Sequence, residues 1–139
     1  MNADFVVDAS TAFAWVLPNQ ASHEAEALLE RIEAGAGAVV PTLWFLEVAN
    51  GLLVAQRRKR ITAPERMLAL RRLSALALTV DEDDARNVFG RTSTLAEQHG
   101  LSVYDAAYLE LALRRNLPLG TRDRALRSAA RRSGVPEVA

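Results

Sequence analysis

The chain contains no cysteine, which excludes disulfides and thiolate metal sites and fits a reducing, cytoplasmic setting. Only two histidines occur, His23 and His99, at a predicted helix start and a helix exit, so an acid–base pair of imidazoles is not expected. Lysine is nearly missing as well: Lys59 stands alone, and the positive charge is carried by arginine. No uninterrupted apolar run approaches the roughly 18 residues of a membrane span. The N-terminus lacks the basic and apolar regions of a signal peptide. Neither G-x-x-x-x-G-K-[ST] nor G-x-G-x-x-G is present, which leaves the usual phosphate-cradling loops without support.

What remains is ordinary globular material. With 139 residues, half of them hydrophobic, the chain is expected to form one domain over residues 1–139, without repeats or linkers. Net charge is zero but unevenly spread. Residues 1–50 hold one basic residue, Arg31, against seven acids, whereas residues 111–139 hold seven arginines against Asp123 and Glu137. An acidic half and an Arg-rich tail fit a protein that holds metal at one place and phosphate at another.

Short apolar runs alternate with helical patterns. Asp4–Val7, Ala38–Val40, Leu76–Val80 and Leu117–Gly120 read as strands, and Val135–Val138 as a fifth, edge strand in which Pro136 is tolerated. Helices are expected over Thr11–Leu17, from Ser22 to Ala34, from a Thr42 cap to Arg58, and from the Thr62–Glu65 capping box to Ala75. Others follow from the acidic run Asp81–Asp84 to Gln98, from Ser102 onward, and from Thr121–Asp123 to Arg132. The alternation argues for an α/β fold: a three-layer α/β/α sandwich around a parallel sheet of four to five strands. Ligands bind beyond the carboxyl ends of such strands.

Four acids stand out. Asp8 follows the first strand directly and Asp123 follows the fourth after two residues, so both belong at that edge. Asp105 lies three residues after Ser102, where a capping box and the helix dipole already favour a carboxylate. Helix capping accounts for these three one at a time. It does not account for Glu47, a turn and a half into a helix apolar all round, with Asn50 at i+3 as the only nearby polar partner. A buried charge costs several kcal/mol unless it is paired or binds metal. Four converging carboxylates would repel one another without a cation, and hard oxygen ligands select Mg²⁺ or Mn²⁺. The implied reaction is metal-assisted phosphodiester hydrolysis. A phospho-aspartyl enzyme would need a second aspartate two residues after Asp8, where Ser10 stands.

Val-Val-Asp8-Ala-Ser10, Pro41-x-Leu-Trp-x-x-Glu47-Val-x-Asn50, Leu101-Ser-x-Tyr104-Asp105-Ala-Ala-Tyr-Leu and Leu119-x-Thr121-x-Asp123 together resemble a PIN domain, most closely the VapC toxins of bacterial toxin–antitoxin pairs. The resemblance spans Asp4 to about Gly134, with all four blocks in order. It implies an α/β/α sandwich and an Mg²⁺- or Mn²⁺-dependent endoribonuclease, with Asp8, Glu47, Asp105 and Asp123 as its acidic quartet. Ser10 and Thr121 match the family's supporting hydroxyl positions, and Asn50 matches loosely. A homodimer and a cognate VapB-like antitoxin are implied as well. RNA would be held by phosphate contacts, with Arg122 and Arg124 beside Asp123 best placed and the Arg57–Arg60 loop second. Rival readings are a non-catalytic module of the same fold and a DNA-directed nuclease with the same metal site. Trp15 and Trp44 are expected in the core, although with the long third helix they offer more apolar surface than one small core needs.

Overall fold

The computed structural model describes residues 4–138. Four parallel strands form its centre: β1 (Phe5–Val7), β2 (Ala38–Pro41), β3 (Leu78–Asp81) and β4 (Leu119–Gly120), in the order β3-β2-β1-β4. β1 and β2 are continuous apolar runs buried along their whole length, the pattern of strands covered on both faces. Helices flank the sheet, so the three-layer α/β/α arrangement is as the sequence suggests. The expected fifth strand is reduced to one bridge, in which the Leu119 N–H donates to the Pro136 carbonyl at 3.0 Å. Pro136 has no N–H with which to extend a ladder.

Most helix starts follow their local chemistry. Asp8 caps α1 (Ala9–Val16), Ser22 caps α2 (His23–Glu33), and Thr62 with Glu65 makes a complete capping box on α4 (Ala63–Ser74). α3 (Leu43–Arg57) departs from expectation, because Thr42 is already helical and its side chain caps nothing. Nor is α3 buried all round: Phe45 and Leu46 are 44% and 74% exposed, while Trp44 is buried. Trp15 is only partly buried and donates its indole N–H to the Ala25 carbonyl. Gly51, in the middle of α3, leaves room for the Phe13 ring of α1, which a Cβ at that position would strike.

The acidic run after β3 does not begin a single helix. Asp81 ends the strand instead, and Asp84 caps a short α5 (Ala85–Asn87) that passes through a π-helical turn, Val88–Thr92, into α6 (Ser93–His99). Gly100, in the left-handed region at φ 64°, stops α6. The chain then enters α7 (Val103–Arg115), whose residues Ala106–Ala112 are all buried, and ends its regular structure in α8 (Arg124–Arg132).

Glu110 is fully buried within α7 and needs a partner. Arg114, one turn on, meets it at 2.8 Å and grips Asp81 with two hydrogen bonds, of 3.1 and 2.6 Å. Arg115 reaches Asp81 at 2.8 Å. This network ties the last turn of α7 to the end of β3. Arg114 and Arg115 hold the Asp81 carboxyl below the usual range, with the Arg114 hydrogen bonds the larger cause. A depressed carboxylate stabilises the fold fully above its unfolded-state pKa of about 3.9 and loses that contribution as pH falls through the folded value. Asp81→Asn is therefore expected to cost about 1–3 kcal/mol at pH 7, toward the low side for a broken ion pair because both arginines keep access to water. In urea unfolding across pH, the gap to wild type should hold above about pH 5 and close in more acid solution. A gap that did not change with pH would show that the pairing contributes no charge energy.

Candidate functional site

Asp8 lies at the end of β1, buried, with both carboxylate oxygens in hydrogen bonds. Its Oδ1 accepts from the Ser10 hydroxyl at 2.7 Å, the Thr11 N–H at 3.2 Å and the Thr11 hydroxyl at 3.3 Å. Its Oδ2 accepts from the Thr121 hydroxyl at 2.5 Å. Burial pushes the carboxyl pKa up, and these four donors work against that rise. The cradle is itself supported from the β4–α8 turn. Thr121 Oγ1 accepts the Asp123 N–H at 3.0 Å, and Ser10 Oγ accepts the Arg122 N–H at 2.9 Å. Two turns 111 residues apart are thus joined through one carboxylate.

Glu47 projects from the second turn of α3 and is half-buried. Its Oε1 accepts from the Tyr108 hydroxyl at 2.6 Å, and Asn50, expected as its partner, is exposed. Burial raises the Glu47 pKa, the Tyr108 hydrogen bond opposes the rise, and the charges of Asp105 and Asp8 add to it. Asp105 sits in the first turn of α7, its N–H donating to Ser102 Oγ at 3.0 Å. This is the forward half of the expected capping box; the return bond to the Ser102 N–H is not formed. Its pKa is raised by burial and then by the charge of Asp123. Asp123 caps α8, accepting the Leu126 N–H at 2.8 Å.

The tertiary structure therefore brings the four acids into electrostatic range, Asp8 with Glu47, Glu47 with Asp105, and Asp105 with Asp123. Among the described residues, no arginine, lysine or histidine forms an ion pair with any of them. The contrast with Glu110 and Asp81 is direct. Hard oxygen donors with uncancelled negative charge suit a divalent cation in donor type and in charge. As they stand, no three acidic or histidine side chains among the described residues are arranged to enclose an ion. Beside the acids, Ser10, Asn19, Gln20, Arg122 and Asp123 line an open pocket of about 350 Å³. The Arg122 guanidinium donates to the Gln20 carbonyl, and Arg124 is exposed on the first turn of α8.

Two participants escape a reading of the sequence alone. Thr11 adds a third hydroxyl to Asp8, after those of Ser10 and Thr121, and is legible only as one more helix-start residue. Tyr108 is the partner of Glu47, and its spacing of three from Asp105 places both on one helix face, which was the available signal.

The PIN domain family model matches residues 5–132. None of the curated proteins compared with the chain matches it in sequence. Among solved structures, PAE2754 from Pyrobaculum aerophilum is similar with a TM-score of 0.73 and 25% identity, covering 98% of this chain and 84% of the other. VapBC2 from Rickettsia felis, bound to a DNA fragment from its promoter, is similar at TM-score 0.67 and 14% identity, covering 97% of each chain. VapC20 of Mycobacterium tuberculosis, a sarcin–ricin loop cleaving toxin, is similar at TM-score 0.60 and 17% identity, covering 96% of this chain and 98% of the other. At those last identities the likeness is one of fold.

The site's electrostatics make opposite predictions for two substitutions. Thr121→Val deprives buried Asp8 of a donor and should cost about 1–3 kcal/mol in denaturant unfolding. Asp105→Asn relieves repulsion and should raise Tm in metal-free buffer at neutral pH. If the Asn variant melts below wild type under those conditions, the acids are not in net repulsion.

Proposed function

This chain belongs to the PIN domain family, and on that premise we propose that it is an endoribonuclease dependent on Mg²⁺ or Mn²⁺, the toxin of a toxin–antitoxin pair. The observation that carries the reading is that Asp8, Glu47, Asp105 and Asp123, from four separate elements, come within electrostatic range of one another in succession, Asp8 with Glu47, Glu47 with Asp105 and Asp105 with Asp123, with no ion-paired cation among the described residues. Capping explains three of these acids singly and does not explain their gathering.

In this reading Asp8, Glu47, Asp105 and Asp123 are the residues that would hold the cation, and Ser10 and Thr121 keep Asp8 in place. A divalent cation held there would supply Lewis-acid activation of water and charge neutralisation at the phosphate. Because Asp8 is locked by four donors, little reorganisation is left for the binding event. One of the four carboxylates would accept the attacking water's proton. Arg122 and Arg124 hold RNA phosphates beside Asp123; Arg122 exchanges its bond to the Gln20 carbonyl for the substrate. RNA is preferred over DNA as substrate because one relative of the same fold is a sarcin–ricin loop cleaving toxin.

The antitoxin partner is inferred from relatives that are themselves toxin–antitoxin proteins. Exposed Phe45 and Leu46 on α3, with Val103 and Tyr104 on α7, lie close in sequence to Glu47 and Asp105 and offer apolar area for an antitoxin segment or a second copy in a homodimer. No helix among the described residues is long and apolar enough to cross a membrane.

The test is cleavage of a structured RNA pool, with matched DNA, in Mg²⁺ or Mn²⁺ and in EDTA. RNA should be cut and DNA spared, with activity abolished by EDTA. Asp8→Asn and Asp105→Asn should each lower the rate by about 100-fold or more, as expected for loss of a group acting on the transition state. Cleavage that persists in EDTA, or that Asp105→Asn leaves intact, would remove the acids from the reaction.

A further inference from the structure

Helix α7 handles two buried or half-buried carboxylates in opposite ways. Glu110 receives a guanidinium from Arg114 at 2.8 Å, which cancels its charge. Among the described residues Glu47 receives only a neutral donor, the Tyr108 hydroxyl at 2.6 Å, across 61 residues of sequence. Tyr108 is 1% exposed, so its hydroxyl needs a protein partner, and the α7 carbonyls around it are engaged in the helix. A pair built for stability alone would be replaced to advantage by phenylalanine and an apolar residue. Keeping a tyrosine and a glutamate together, with no cation, holds the carboxylate still and leaves its charge available.

We propose that Tyr108 is a positioning residue for Glu47: its hydroxyl claims Oε1 and leaves Oε2 as the oxygen offered to a divalent cation. The inference rests on the metal-dependent reading above and deepens it. The placement is economical, since Tyr108 lies one turn from Asp105, and a single face of α7 presents one acid and orients another. The site's two inner acids are then held in the same manner, Asp8 by Ser10, Thr11 and Thr121 and Glu47 by Tyr108, by hydroxyl groups that orient without neutralising.

The experiment is Mn²⁺ binding by calorimetry to wild type, Tyr108→Phe, Glu47→Gln and the double variant, with the metal-free Tm of each. Tyr108→Phe should weaken Mn²⁺ binding by about tenfold or more, as for other groups that orient a ligand. In the Glu47→Gln background the same change should have no further effect on binding. A purely structural tyrosine would lower Tm and leave the affinity alone. Should Tyr108→Phe fail to fold, wild type carrying ¹³Cζ-labelled tyrosine is titrated with Mg²⁺. The chain has only two tyrosines, and Tyr104→Phe identifies the other signal. The Tyr108 resonance should move to saturation. Equal Mn²⁺ affinity in wild type and Tyr108→Phe, or an unmoved Tyr108 resonance in protein that binds the ion, overturns this inference alone. A wild type that binds neither ion overturns it together with the nuclease reading.

Discussion

A carboxylate buried at the end of an inner strand must find hydrogen-bond donors or lose its charge, and the architecture around Asp8 follows from that requirement. The donors come from two of the turns that leave the sheet at this edge, Ser10 and Thr11 after β1 and Thr121 after β4. Strand pairing brings them together: Val7 lies opposite Gly120, and the Thr11 hydroxyl shares its one proton between Asp8 and the Gly120 carbonyl. Gly120 in turn packs so closely beneath α2 that a Cβ there would come within 2.7 Å of Leu28. The sheet, the first-turn helices and the cradle therefore form one cooperative unit, in which a change at Thr121 would be felt by the strand pairing and by the acid.

The protein manages its other acids by a division of labour along α7. At the far end of the helix, Glu110, Asp81 and Asp83 share Arg114 and Arg115, and the charges are spent on fixing helix to strand. At the near end, Glu47 accepts from the Tyr108 hydroxyl, the Asp105 N–H donates to Ser102, and among the described residues neither carboxylate has an ion-paired cation. One end is a clamp and the other retains a strong negative field. Keeping the arginines away from the second group is what preserves that field, since a guanidinium within reach would neutralise it as it does Asp81.

The Arg-rich tail is only in part a surface for other molecules. Arg127 donates to the Thr121 carbonyl, Arg131 pairs with Glu137 at 2.9 Å, and Arg132 bonds Ser128. The first two contacts fasten α8 to the cradle turn and to the terminal segment, and the third lies within the helix. The charge asymmetry between the two ends of the chain thus serves folding and leaves Arg124 exposed beside Asp123.

Short-range chemistry was legible before any fold was known. The apolar runs, the Ser22, Thr62, Ser102 and Asp123 caps and the alternation of strand and helix are local, so propensity and spacing determined them. The four acids were visible for the same reason, each tied to a strand end or helix turn. Asp81 and Glu110 were not: Asp81 takes its meaning from arginines 33 and 34 residues away, and Glu110, although its partner Arg114 is only one turn on, is buried by the packing of α7 in the fold. Glu47 was singled out as a charge that needed a partner, and the partner, Tyr108, belonged to another helix. The Thr42 cap and the fifth strand failed where the backbone around them, already helical or lacking an N–H, left nothing to bond. The sequence by itself determined which groups are present and which local frame each one occupies. Only the tertiary structure decided which acids meet an arginine and which meet a hydroxyl, because that depends on contacts between elements distant in the chain.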